Sequence, residues 1–280
     1  MSIATREVEF AKFVIAREDV RIKKERGDAR PYSKDPILNA YHFCNVRRAD
    51  DRVTKWIGQW VKRSTAKDRW FWCAVARWIN QPDTLTMLTP AMPTFNMNWD
   101  LNKALKILGQ IDASGGNIFR GAYIITGAMT NRKRDGRKKY ETILIEVLDK
   151  VWQNKPMIDK RSLEQSWLAL RKNRGMGPFM AGQIVADWQT FGVINAVDVN
   201  TWAPLGPGSK RGLRYIYDRD LNQRDAVTYM QELHQDVLMD RCPALAETLT
   251  LHDVQNCLCE FSKYKRGWAK SRYVPYEEKP

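Results

Sequence analysis

Between Ser162 and Gly192 the chain spells two helices with only a glycine turn between them. Ser162 is a helix cap by type, and Gln165 three residues on completes a capping box. The first helix runs to about Lys172. Arg174-Gly175-Met176-Gly177 follows, a tight turn in which both glycines supply backbone freedom. Pro178 suits the first position of a second helix, which carries Phe179, Met180, Ile184, Val185 and Trp188 and stops near Gly192. The pair reads as a helix-hairpin-helix, whose turn and second-helix N-terminus present backbone N–H groups that can hold a phosphate. Asp198 lies 21 residues after Gly177, in the apolar setting Ala196-Val197-Asp198-Val199. A basic loop, Gly206-Pro207-Gly208-Ser209-Lys210-Arg211-Gly212, follows. Alone, the Gly-x-Gly turn fits an ordinary helical hairpin, with Asp198 capping the next helix. Hairpin, acid and basic loop together favour a phosphate-binding device.

The charge supports that reading. Formal net charge is +14 and the pI about 9.6, which favours a polyanionic partner, most simply nucleic acid. Of the 280 residues 44% are apolar, enough for a sizeable core. No apolar run approaches membrane-spanning length, so no membrane partner is expected, and MSIATREVEF has no signal-peptide pattern. Five cysteines, an odd number without paired spacing, fit a reducing compartment. Cys257 and Cys259 have no second pair at metal-ligand spacing, so no metal site is expected. The 11 tryptophans are mostly core by expectation, with some placed to stack on bases.

Along the rest of the chain the periodicity is helical. Helices are expected over 5–26, from Asp35-Pro36 through Ile37, Leu38, Tyr41 and Phe43, and after Asp50 or Asp51 through Val53, Trp56, Ile57 and Trp60. Asp68 begins another, Asp100 caps 101–111, and a glycine turn leads to Ile118–Met129. The run Arg132-Lys133-Arg134-Asp135-Gly136-Arg137-Lys138-Lys139 is either a solvated loop or a contact to the DNA backbone. A helix from Tyr140 to Gln153 precedes the hairpin. Asn222 caps a helix to about Arg241, and Thr250 and Asp253 cap a last one ending at Gly267. No strand alternation, repeat or low-complexity segment is present. The expectation is an all-α chain of about ten helices in two lobes around a cleft. It forms a single unit over 1–280: an N-terminal lobe about 1–155, a hairpin lobe about 156–223, C-terminal helices about 224–267 packing back, and a loose tail 268–280.

Three constellations can carry chemistry. The first, Tyr41-His42-Phe43-Cys44-Asn45-Val46-Arg47-Arg48-Ala49-Asp50-Asp51-Arg52, crowds arginine forks suited to phosphate or pyrophosphate among aromatics, an amide and acids. Asp51 could hold an arginine in place; the plainer reading is a surface salt-bridge network with a helix cap. The second is the hairpin with Asp198, a general base or a stabiliser of developing positive charge, with Asn200, Thr201 and Trp202 beside it. In the third, His252, Asn256, Cys259 and Lys263 recur at three- and four-residue steps on one helix face. That stripe either lines a cleft or is a satisfied core histidine and a solvated lysine. No Walker loop, HExxH, Gly-x-Ser-x-Gly or dinucleotide fingerprint occurs, which argues against an ATP kinase or a nicotinamide enzyme.

Taken in order, YHFCNVRRADDR, then GMGPFMAGQIVADW with VDVNTW and GPGSKRGL, then LHDVQNCLCEFSKYKR resemble the alpha-glutamyl/putrescinyl thymine pyrophosphorylase family. These are bacteriophage amino acid:DNA transferases. The blocks lie between about residues 36 and 266. The resemblance implies a helix-hairpin-helix DNA glycosylase-like scaffold, with Asp198 at its catalytic position. It implies a double-stranded DNA substrate whose 5-hydroxymethyluracil carries a pyrophosphate, and an amine donor, glycine or another amino acid or putrescine, that displaces it. The host cytoplasm of an infected bacterium is the implied setting.

On that implication Asp198, Arg48 and Arg52 are the catalytic candidates. Tyr41, His42, Cys44, Asn45, Arg47, Asp51, Asn200, Trp202, His252, Asn256, Cys259 and Lys263 would surround the substrate. Arg174, Gly175, Gly177, Pro178, Gly208, Ser209, Lys210 and Arg211 would hold DNA while the base is flipped out. No cofactor is required by the sequence; a monovalent cation at the hairpin is an implication of related scaffolds, and magnesium is left open. Arg47 stands where many relatives would carry an aromatic. A route through a Cys44 or Cys259 thiolate is the minor alternative mechanism. A base-excising glycosylase and a non-catalytic DNA-binding module are the competing functions.

Overall fold

The structure, a computed structural model, describes residues 1–89, 99–120 and 136–267. It is all-α, with no strand among the described residues. α1 (Ile3–Arg26) starts at the Ser2 cap and stops where Gly27 turns left-handed, at φ 78°. α2 (Pro36–Ala40) is capped by Asp35, which accepts from the amides of Ile37 and Leu38. α3 (Arg52–Lys62), α4 (Arg69–Ile79), α5 (Pro82–Leu88) and α6 (Leu101–Ala113) follow. α7 begins as Lys139–Thr142, widens into a π-helical stretch at Ile143–Leu148 and ends as Asp149–Asn154. α8 (Leu163–Arg171) and α9 (Pro178–Thr190) are the hairpin helices. α10 (Pro207–Tyr217) precedes α11, which runs as Gln223–Glu232, a second π-helical stretch Leu233–Leu238, and Met239–Arg241. α12 (Pro243–Ala246) leads to α13 (Leu251–Tyr264), where Thr250 and Asp253 form a reciprocal capping box.

Three sequence expectations need correction. Tyr41 and Phe43 lie beyond α2, because the helix stops at Ala40. The basic 206–212 stretch is no loop: Pro207 starts α10, and Ser209 takes the amide of Gly206. Nor does Asp198 cap a helix, since its carbonyl closes a turn with the amides of Thr201 and Trp202. The expected Ile118–Met129 helix, the 132–135 part of the charge run and the 268–280 tail lie largely outside the described residues.

The chain divides into two compact units, Met1–Asp51 with Asp198–Pro280, and Arg52–Val197. The first holds α1, α2 and α10–α13 around Phe10, Phe13, Val14, Val46, Leu213, Ile216, Leu233, Leu251, Val254, Leu258 and Phe261. α10 lies so close on α13 that a Cβ on Gly208 would sit 2.2 Å from Cys259 Sγ, and one on Gly212 2.2 Å from the Leu258 carbonyl oxygen. The two glycines, four apart, let the helix backbones meet.

The second unit holds α3–α9 around Ile57, Trp60, Phe71, Trp72, Leu144, Leu148, Ile184 and Trp188. Inside it the Arg77 guanidinium pairs with Asp187, Nη2 reaching Oδ1 at 2.8 Å and Thr54 at 3.1 Å. Both partners are buried, so removing either would strand the other charge.

Candidate functional site

In the first unit the 41–51 segment docks on α13 through its main chain. The Cys44 amide donates to Glu260 Oε2 at 3.2 Å, and the Cys44 carbonyl accepts from Arg17 Nη2 of α1. Asn256 Nδ2 donates to the Asn45 carbonyl at 3.4 Å, and the Arg48 amide donates to Asp253 Oδ1 at 2.8 Å. Val46 is fully buried and pins the segment from beneath. These bonds bring together the first and third constellations from opposite ends of the chain.

Under the turn lies a charge cluster. Glu260 is 2% exposed and meets Lys263 Nζ at 2.5 Å, while the Lys263 side chain is 21% exposed. Arg17 is buried too, its guanidinium 5.1 Å from the Phe13 ring centre. Two cations thus face the Glu260 carboxylate. Burial acts to raise the Glu260 carboxyl, but Lys263 and Arg17 outweigh it and hold it below the usual range. Burial likewise works against the Lys263 charge, and Glu260 outweighs it, keeping the ammonium above its usual range. Glu260 therefore stabilises the fold above the ordinary carboxylate pKa and loses this as pH falls through its lowered value. Lys263 stabilises below the ordinary ammonium pKa and loses this as pH rises through its raised one.

The thiols are poor nucleophiles. Glu260 first, then desolvation, pushes the Cys44 thiol up to about 12. Burial first, then Glu260, raises Cys259. Neither is a thiolate near neutral pH.

Other candidates take different positions. Arg47 is held by carboxylates, with Nη2 2.7 Å from Glu18 and Nε 2.7 Å from Asp50. Glu18 and Asp50 fix that arginine. Tyr41 and Asp51 are half-buried and His42 is exposed. His252 and Trp202 are buried. Asp198 is half-buried between exposed Val197 and half-buried Val199, not enclosed, and Asn200 is exposed. Gly208 and Ser209 are buried against α13, where Ser209 accepts from Gln255 Nε2 at 3.0 Å, so they support packing rather than DNA contact. Lys210 and Arg211 are exposed on α10.

Arg52 and the hairpin belong to the second unit. Arg52 is exposed at the first position of α3. Gly175 needs its glycine, at φ 83°, whereas Gly177 has ordinary φ of −63° and open space where a Cβ would stand. The hairpin is closed by Trp167 Nε1 donating to the Pro178 carbonyl at 3.0 Å. Pro178 is exposed, and so is Arg174, paired with Glu146 at 2.8 Å. Glu146 also takes Arg137 at 2.8 Å, so the end of the basic run and the hairpin turn share one carboxylate on the π-helical stretch.

Arg17, Glu260 and Glu146 were missed by the sequence reading, which gave Asp253 only as a helix cap. The Glu260–Lys263 spacing was readable as an i,i+3 pair. Arg17 and Glu146 carry no local signal, because their partners are set by tertiary packing. Among the described residues no group of three or more His, Cys, Asp and Glu comes together to hold a metal ion, and no helix is long and apolar enough to cross a membrane.

The family model described as 5-hmdU DNA kinase, helical domain, matches residues 6–272. The chain belongs to this family. The 5-hmdU DNA kinase of Bacillus phage SP10 is 25% identical over 274 residues, covering 88% of this chain and 42% of the phage protein. The chain thus spans less than half the length of that relative. No solved structure matches it. The helical-domain family and the relative both concern a modified thymine nucleoside in phage DNA, as the resemblance implied, and neither names a pyrophosphorylase or an amine.

Proposed function

We propose that this chain is a DNA thymine-hypermodification transferase. Its substrate is duplex DNA in which 5-hydroxymethyluracil carries a pyrophosphate, and its co-substrate is an amine, an amino acid such as glycine or a polyamine. The amine nitrogen attacks the methylene carbon as the carbon–oxygen bond breaks. The bonding pair leaves with pyrophosphate, and the proton lost from nitrogen passes to a base. The reading calls on no cofactor and fits an infected bacterial cytoplasm.

One observation carries it: the Arg17 and Lys263 cations gathered with Glu260 beneath the Cys44–Arg48 turn. A leaving pyrophosphate gains negative charge as it departs, and fixed cations in a dry setting stabilise that charge best. The partly exposed Lys263 ammonium is the candidate to meet it, with Arg48 beside the turn. Asp198, in the same unit, is the candidate base. The hairpin, on a glycosylase-like scaffold, would hold the backbone. There, open space at Gly177 suits the close approach of a phosphate to the α9 N-terminus. The raised thiols favour direct displacement over a thiolate route.

A second reading is favoured by the relative's name and by the 42% of it that is matched. On this reading the chain is a module that holds 5-hydroxymethyluracil DNA for a kinase. The test is incubation with DNA bearing pyrophosphorylated hydroxymethyluracil and a mixture of amino acids and polyamines, then digestion to nucleosides and mass spectrometry. A nucleoside carrying a new amine-containing group, with pyrophosphate released, is the expected result. Bound but unchanged DNA supports the holding module, and abasic sites with free base would mean excision.

A further inference from the structure

The second unit carries a pocket of about 330 Å3 that the transferase reading leaves unused, lined by Lys67, Asp68, Trp70, Trp152, Lys155 and Pro156. It forms where the segment leading into α4 meets the C-terminal end of α7. Trp70 and Trp152 lie parallel there, with ring centres 6.1 Å apart and planes 8° apart. Fully buried Phe71 braces both from behind, at 5.6 and 4.9 Å. Each indole is only half-buried, so part of the aromatic surface is open to the pocket. Lys67 and Lys155 are exposed at its rim. Lys155 ends α7 in a left-handed conformation that holds its ammonium 6.0 Å from the Trp152 ring.

Aromatic walls with ammonium groups at the rim match the chemistry of a nucleobase carrying its phosphate. The ring stacks on indole, and the phosphate meets the lysines. Asp68 adds one acceptor for a ring N–H or an exocyclic amine. The volume falls at the small end of the roughly 300–1,000 Å3 typical of ligand pockets, right for one nucleotide and too small for a base pair. The pocket is also tied to the hairpin. Asn154, the residue before Lys155, donates to Asn173, the residue before Arg174, at 2.8 Å.

We propose that this pocket binds a single unstacked nucleotide, its base against Trp70 and Trp152 and its phosphate on Lys67 and Lys155. The proposal stands on the pocket's own chemistry and does not need the transferase reading. The nucleotide can belong to a DNA strand or be free in solution, and the two sources are separable.

The test uses the full chain and a labelled single-stranded oligonucleotide containing 5-bromouracil. Binding is read by anisotropy, and photo-crosslinked peptides by mass spectrometry. Lys67→Glu with Lys155→Glu should weaken oligonucleotide binding at least tenfold with an unchanged melting temperature, because both lysines are exposed. Crosslinks should fall on Trp70 or Trp152, and Trp152→Phe should retain binding that Trp152→Leu loses. If deoxythymidine monophosphate or ATP alone binds in calorimetry and displaces the oligonucleotide, the source is a free nucleotide; if neither does, it is the strand. A control pair far from the pocket in sequence, Lys12→Glu with Lys106→Glu, removes the same charge. Equal weakening by both pairs, or crosslinks confined to other residues, would overturn the proposal.

Discussion

A thiol held beside a carboxylate resists ionisation, and Cys44 is in that position because its own amide is what Glu260 binds. With its pKa pushed up to about 12, Cys44 should carry roughly a thousandfold less thiolate near pH 8 than an ordinary cysteine, although the residue is exposed. Its alkylation by iodoacetamide, followed by mass spectrometry, should be correspondingly slow and should rise about tenfold per pH unit between pH 7 and 10 without levelling. A plateau near pH 8 would show that Glu260 is not charged beside it. Cys44→Ala and Cys259→Ala should both leave amine transfer intact. The sequence made part of this site legible. Asn256, Cys259 and Lys263 stand at helical steps on α13, as their spacing implied, and Arg47 with Asp50 makes the salt bridge that its crowded turn offered. Arg17 and the docking of the turn were not legible, because they depend on main-chain bonds between the two ends of the chain.

At the scale of elements, four glycines separate three physical roles. Gly212 faces the Leu258 carbonyl, which cannot move without moving α13. Gly212→Ala should therefore destabilise the fold by about 3 kcal/mol, at the upper end of overpacking costs, read as a lower denaturation midpoint. Gly208→Ala meets the Cys259 side chain, which can turn aside in part, so its loss should be smaller. Gly175→Ala forces a left-handed alanine and should cost about 1 kcal/mol. Gly177→Ala should not change stability, since its backbone is ordinary and its surroundings open. A loss of DNA affinity in Gly177→Ala at full stability would identify close approach by phosphate; unchanged affinity would remove the hairpin from the DNA-holding role. Cap chemistry made Ser162, Asn222 and Thr250 readable as helix starts, because one side chain decides each. It failed at 206–212, where glycines that suggest a loop are there for helix packing. Nor does apolar spacing announce a π-helical widening, since Ile143–Leu148 and Leu233–Leu238 keep helix-forming residues throughout.

At the scale of the whole molecule, periodicity made the all-α class readable, while the division into units depends on which helices pair. The first unit joins 1–51 to 198–280, and no local pattern announces that return. Charge is the property that needs no fold, and a formal +14 makes DNA affinity depend on salt. With about six phosphates contacted, log affinity should fall against log salt with a slope near −5. Binding alone would not separate a transferase from a kinase's helical part. A nucleotide-binding loop would. This chain carries no Walker motif, and it matches 42% of a relative named as a kinase. Given labelled ATP and DNA containing 5-hydroxymethyluracil, the chain should bind that DNA with the steep salt slope and transfer no phosphate to it. Label appearing on the DNA would place phosphoryl transfer in the helical chain itself, and the amine-for-pyrophosphate reading would give way to it. Binding without label fits both the amine-transfer reading and the holding module, and the nucleoside products of the amine incubation then separate the two.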